Sequence, residues 1–146
     1  MTSALLVRWM HVLAAMVWIG GMLFVALVLI PAARRLDDPA LRARLIHELG
    51  VRFRAVGWTA LAVMVATGIL NLWFRPDILY SPRFHWKAAL VGLALGLAAL
   101  HDFVLGPRAG RPGAPPAARV RASWVARVNV VVALVIVLLG LALRGG

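Results

Sequence analysis

The sequence predicts an all-α integral membrane protein, a four-helix bundle with a short amphipathic interfacial helix between its first two spans. Three observations carry that expectation. Of the 146 residues, 63% are hydrophobic and only 14% are charged, a balance too apolar for a soluble domain of this size. The apolar residues gather in four runs, 4–32, 56–74, 84–105 and 122–143, each near or above the roughly 20 residues a bilayer requires. The runs are continuous rather than alternating, and backbone in lipid must satisfy its own hydrogen bonds, so the spans read as helices and not as barrel strands.

The first run resembles a secretory leader in position, but its only early positive charge is Arg8 and no small-x-small site precedes a soluble region, so a retained helix is expected. A polar stretch follows, with Arg34, Arg35, Asp37, Asp38, Arg42, Arg44, His47, Glu48, Arg52 and Arg54, punctuated by Pro31 and Pro39. Its pattern suits a short helix lying at the interface. The second and third spans are joined by a shorter connection with Arg75 and Arg83. A Pro/Gly-rich stretch at 106–118, with Arg108 and Arg111 and with Arg119 and Arg121 just after it, leads into the fourth span. No repeat of fixed period stands out, and one transmembrane domain covering 1–146 is expected.

The formal charge is +11, from 16 basic and 5 acidic residues. The arginines sit between apolar spans rather than along one polar face, so they read as orientation signals and contacts to anionic lipid, and nucleic acid is not an expected partner. The two Arg-rich connections carry six and four arginines, against Arg8, Arg75, Arg83, Lys87 and Arg144 on the other side. The positive-inside rule therefore places those connections in the cytoplasm and both termini outside, in a multi-pass protein of the cytoplasmic (inner) membrane.

With no cysteine, disulfides, iron–sulfur clusters, covalently attached haem and thiolate metal sites are excluded. Histidines inside spans then carry the chemistry, because an ionisable group in lipid is costly unless paired or functional. His11 shares a helix face with Ala15, Trp18 and Met22. His85 opens the third span on a face continued by Ala89, Gly92, Gly96 and Ala99, a stripe of small side chains that suits close helix packing or a flat macrocycle. The topology puts His11 and His85 in one leaflet, within reach of one metal or one haem iron. Arg75, Arg83 and Lys87 at that rim suit haem propionates or another anionic group, or simply reach out to the interface.

His101 lies about 24 Å along the axis from His85 and cannot share its ion. With Asp102 beside it and His47 from the polar stretch, it makes a second inner site conceivable; a capped interfacial histidine is the alternative. Met10, Met16 and Met22 near His11 offer soft ligands for copper(I), but steps of six residues spread them around the helix, which favours core filling. Asn71 aligns with Gly57, Met64 and Gly68, and Asn129 with Ala122, Ala126, Ala133 and Gly140, both as interhelical hydrogen-bonding positions. No phosphate loop, nucleophilic triad or intramembrane carboxylate pair is present, so no catalytic residue is assigned.

Several short motifs carry a family likeness. The segments Trp9-Met10-His11-Val12-Leu13-Ala14 and Trp18-Ile19-Gly20-Gly21, then Arg52-Phe53-Arg54 leading into Thr67-Gly68, and Phe84-His85-Trp86-Lys87 leading into His101 together resemble the copper resistance protein D (CopD-like) membrane domain. The likeness runs through the first three spans, with nothing distinctive in the fourth. The early His and the His-x-Lys at the head of the third span are also similar to HemJ-type protoporphyrinogen oxidases, which the likeness would make haem b proteins. Pro31-Ala32-Ala33-Arg34-Arg35 replaces the acidic and aromatic residues of the HemJ pattern, which argues against porphyrinogen oxidation.

The leading expectation is therefore a small membrane haem b or metal protein with His11 and His85 as ligands, working in electron transfer with a membrane quinone or another redox partner, with a haem-dependent oxidoreductase as the enzyme class this would imply. A copper-binding or copper-transporting protein and a cofactor-free structural or assembly subunit are the alternatives. Association of two chains through the Gly92/Gly96 face is a further possibility.

Overall fold

A computed structural model describes residues 2–111 and 113–142. Leu143, the expected end of the fourth span, and Arg144 lie outside them. Among the described residues there are four helices long and apolar enough to cross a membrane: α1 (Ser3–Ala33), α2 (Pro39–Phe74), α3 (Pro82–Ala109) and α4 (Pro116–Ala142). The chain is a multi-pass, all-α membrane protein. It divides into two compact units, Met1–Leu79 and Tyr80–Gly146, so that α1 and α2 form one helix pair and α3 and α4 another.

The helix starts follow local chemistry. Asp38 caps α2, its Oδ1 accepting the Ala40 N–H at 2.8 Å, and Pro39 takes the first helical position, where its missing N–H leaves no hydrogen bond unmade. Ser81 and Pro82 open α3 in the same order. The polar stretch after the first span is helical from Pro39, but it is the N-terminal half of α2 and not a separate short helix. Nothing between Pro39 and Phe74 stops helix propagation; the change from arginine-rich to apolar sequence changes the medium a side chain prefers, not the backbone. At 36 residues α2 is about 54 Å long, well beyond the ~30 Å hydrocarbon core.

The prolines near the ends of α1 and α3 act differently from expectation, because the chain stays helical through them. Pro31 has no N–H and its ring crowds the carbonyl four residues back, at Leu27. The helix answers by widening into a π turn at Val25–Leu29, with the Ile30 N–H reaching back to the Val25 carbonyl. Pro107 has the same effect on Leu100–Leu105, where the Gly106 N–H reaches the His101 carbonyl. A Cβ on Gly106 would stand 3.0 Å from that carbonyl oxygen, so the position favours glycine. The Pro/Gly-rich connection expected at 106–118 is consequently helical at both ends.

The two pairs share a plan that the sequence alone did not disclose. Each begins with a long apolar helix that ends in a π turn and a proline two residues beyond it. Each second helix opens on the same pattern, Pro39-Ala40-Leu41-Arg42-Ala43-Arg44 in α2 and Pro116-Ala117-Ala118-Arg119-Val120-Arg121 in α4.

In the first pair, α1 packs on α2 through small residues. Trp18 is 4% exposed, and its Cδ1 lies 3.8 Å from where a Cβ on Gly57 would stand. The Phe53 ring fills the space that a side chain on Gly21 would need. In the second pair the buried residues are Ala94 and Ala98 of α3 and Ala122, Asn129, Val132, Ala133 and Ile136 of α4. Large apolar side chains point outward instead, with Leu27, Trp73 and Trp86 each more than two-thirds exposed, as lipid-facing surfaces require.

Candidate functional site

The best-defined polar arrangement within a span surrounds His11. Its Nδ1 lies 2.8 Å from the Met64 carbonyl oxygen and 3.1 Å from the Thr67 hydroxyl. A carbonyl can only accept, so Nδ1 carries the proton and Nε2 of the neutral ring carries the lone pair. The Thr67 hydroxyl donates to the Val63 carbonyl at 2.6 Å, which turns its oxygen toward the histidine as an acceptor. Gly68 completes the seat: a Cβ there would stand 3.4 Å from His11 Cε1, so only a very small residue lets the imidazole lie against α2.

Helical spacing explains the arrangement. Gly57, Met64, Gly68 and Asn71 fall along one face of α2, and contacts from Trp18 to Gly57 and from His11 to Met64 and Gly68 identify that face as the one meeting α1. Met22 and Asn71 are half-buried. The residue that sequence reasoning did not single out as a partner is Thr67; its position three residues after Met64 on the same face was the available signal.

In the second pair, His85 sits exposed in the first turn of α3. Its Nδ1 donates to the Ser81 carbonyl at 3.0 Å, and its ring meets Phe84 edge-on with centroids 5.8 Å apart. The small-residue stripe beneath it is present and open, with no described atom within 4 Å of a Cβ built on Gly92 or Gly96. His101, inside the π turn of α3, donates from Nδ1 to Asp102 Oδ1 at 2.9 Å. These three histidines thus share one tautomer, with Nε2 as the nitrogen able to bind a metal. His47 lies exposed on the N-terminal half of α2.

The basic residues expected to receive anionic groups have protein partners. Arg83 donates from Nη1 to the Ala142 carbonyl at 3.2 Å, and the Lys87 ammonium lies 3.3 Å from where a Cβ on Gly140 would stand. Both therefore reach the last described turn of α4. Arg75 forms a fork with Asp77, Nε to Oδ1 at 3.1 Å and Nη2 to Oδ2 at 2.9 Å. Those hydrogen bonds hold the Asp77 carboxyl below its ordinary pKa and raise that of Arg75. Asp77 escaped the sequence reading, although an acid two residues from an arginine in a turn was its signal.

Among the described residues no three His, Cys, Asp or Glu side chains come together as a metal cluster. A haem asks for less, because the porphyrin supplies four nitrogens and the protein one or two axial imidazoles. Donation of Nδ1–H to a carbonyl is also the usual way a metal-binding histidine is oriented. His11 and His85 each have Nδ1–H held by a carbonyl in this way, each within its own helix pair.

The profile of the copper resistance protein D family matches residues 47–143. The chain belongs to the copper resistance protein D family. The match to the CopD family takes in the second, third and fourth spans, with His85, Lys87 and His101, and leaves out His11; the sequence-based likeness had rested on the first three spans. An uncharacterized protein of Aquifex aeolicus (strain VF5) is 32% identical to this CopD-family protein over 143 residues, covering 94% of this chain and 92% of its own length. No solved structure matches.

Proposed function

We propose that this CopD-family protein binds a b-type haem within the membrane, with His11 as an axial ligand and His85 as the other candidate ligand, and passes electrons between a membrane quinone and another redox partner. The observation that carries the reading is the seat of His11: a half-buried imidazole inside a span, its Nδ1–H held by the Met64 carbonyl and the Thr67 hydroxyl. When bound, haem supplies a one-electron carrier whose potential its apolar surroundings tune. The chain's own contribution is to orient the imidazole, fix its tautomer and exclude water. The positive-inside rule supports placing the Arg-rich connections in the cytoplasm and both termini outside the inner membrane.

The family description favours a second reading, copper binding or transport, in which His11 and neighbouring methionines hold copper(I).

Absorption spectra of detergent-purified protein, oxidised and dithionite-reduced, beside metal analysis, separate the readings. Haem binding gives a sharp Soret band with reduced α and β bands that is lost or shifted in His11→Ala and in His85→Ala, and the haem-to-chain ratio counts the irons. A colourless protein carrying copper supports the second reading. A colourless, metal-free protein overturns both and leaves a structural subunit.

A further inference from the structure

Arg127 stands inside the apolar run of α4, about 8 Å along the axis from Ala122, on an exposed face. A guanidinium stays charged at any physiological pH, and a charge facing hydrocarbon is strongly disfavoured unless it has a counter-charge or reaches water. No carboxylate among the described ion pairs engages it. Its guanidinium carbon lies instead over the Trp124 ring, 5.6 Å from the centroid, which draws the side chain back toward the N-terminal, Arg-rich end of α4. Trp124 is 58% exposed, as suits a ring at the boundary between hydrocarbon and headgroups. On the other side of Arg127 the same face continues through Val131 and Leu138, which are 60% and 65% exposed.

We propose that this face of α4 is a binding site for one anionic phospholipid. Its phosphate takes the Arg127 guanidinium as a forked acceptor, Trp124 holds that guanidinium from behind, and an acyl chain lies along Val131 and Leu138. Arg119 and Arg121, about two turns nearer the helix start, supply the positive field that selects an anionic over a zwitterionic headgroup. A second copy of the chain is the poorer occupant. The sequence has five acidic residues, of which Asp37, Asp38, Glu48 and Asp77 lie outside the apolar runs and Asp102 is hydrogen-bonded to His101. No intramembrane carboxylate is thus left over to meet Arg127.

The test is native mass spectrometry of the full chain in detergent, titrated with phosphatidylglycerol against phosphatidylcholine. The expected result is preferential retention of phosphatidylglycerol, reduced about tenfold in Arg127→Gln, reduced less in Arg127→Lys, which keeps the charge without the fork, and partly reduced in Trp124→Leu. Equal retention by the parent and both Arg127 variants overturns the proposal. So does a chain dimer that Arg127→Gln dissociates, which would assign the arginine to a protein contact. Arg127→Lys retains the parent's charge, so its comparison with the parent stands even where the neutral variant fails to fold.

Discussion

Gly68 offers the sharpest test of how α2 seats His11, because the space above it can be filled in steps. A Cβ there would lie 3.4 Å from His11 Cε1 and 3.7 Å from Nδ1, close but attainable with a shift of tenths of an ångström. Gly68→Ala also removes a helix-interior glycine, a gain of about 0.5–1 kcal/mol, so the net effect is expected within ~1 kcal/mol of the parent. Gly68→Leu is different in kind, since its further carbons need the volume the imidazole occupies. The ring must swing away and give up the 2.8 Å bond to the Met64 carbonyl. That bond is worth about 0.6–1 kcal/mol in a membrane, and forcing extra carbons into a packed site costs a further ~1–3 kcal/mol. With the same relief of the helix-interior glycine, Gly68→Leu is expected to destabilise by about 1–3 kcal/mol. Reversible unfolding in mixed micelles, followed by helicity, measures it. Removing the ring relieves the conflict, so His11→Ala with Gly68→Leu should show a coupling of at least ~1 kcal/mol against the single variants. If Gly68→Leu matched Gly68→Ala to within ~0.5 kcal/mol, or if the double variant were additive, the packing of His11 against α2 would be refuted.

Two further outcomes follow from the first unit. Gly21→Ala places a methyl where the Phe53 ring lies; a loss of about 1–3 kcal/mol is expected, largely restored by adding Phe53→Leu, and an Ala variant as stable as the parent would contradict the close approach. Asp77 pairs with Arg75 and its folded pKa is lowered, so this pair stabilises the native chain above the ordinary value of 3.8 and the contribution is lost as pH falls through the lowered value. Comparing melting temperatures near neutrality with those below 3.8, Asp77→Asn should show a smaller drop than the parent. Both side chains are exposed, so the difference will be small and reduced by salt, and an equal drop in both proteins would remove the pair from the account.

The positions of Arg83 and Lys87 bear on the family likeness. The His-x-Lys at the head of the third span reads from sequence as a ligand beside an anion anchor. In the structure His85 is turned to its own helix's Ser81 carbonyl, while Lys87 and Arg83 reach the C-terminal end of α4. These residues therefore have a local structural task within the second helix pair whatever headgroup or propionate they also meet.

The number of spans, their helical nature and their lipid setting were legible in the sequence, because hydrophobicity over roughly 20 residues is a sum that needs no knowledge of partners. The absence of thiolate chemistry was equally plain from composition. The face of α2 that carries Gly57, Met64, Gly68 and Asn71 could be read from helical periodicity, and so could the face of α1 with His11 and Trp18. Which face met which could not, since that depends on the register between two helices, and register is decided by contacts such as Phe53 in the space above Gly21. The tautomer of His11 likewise rests on a carbonyl 53 positions away in the chain. Pro31 read as punctuation and Pro107 fell in the expected Pro/Gly-rich connection, yet the helix continues through both behind a π turn, because a helix whose remaining backbone must stay hydrogen-bonded in lipid widens rather than opens. The continuity of α2 from arginine-rich to apolar sequence has the same origin: composition tells where a segment prefers to lie, and only the folded chain tells whether the backbone pauses at the boundary.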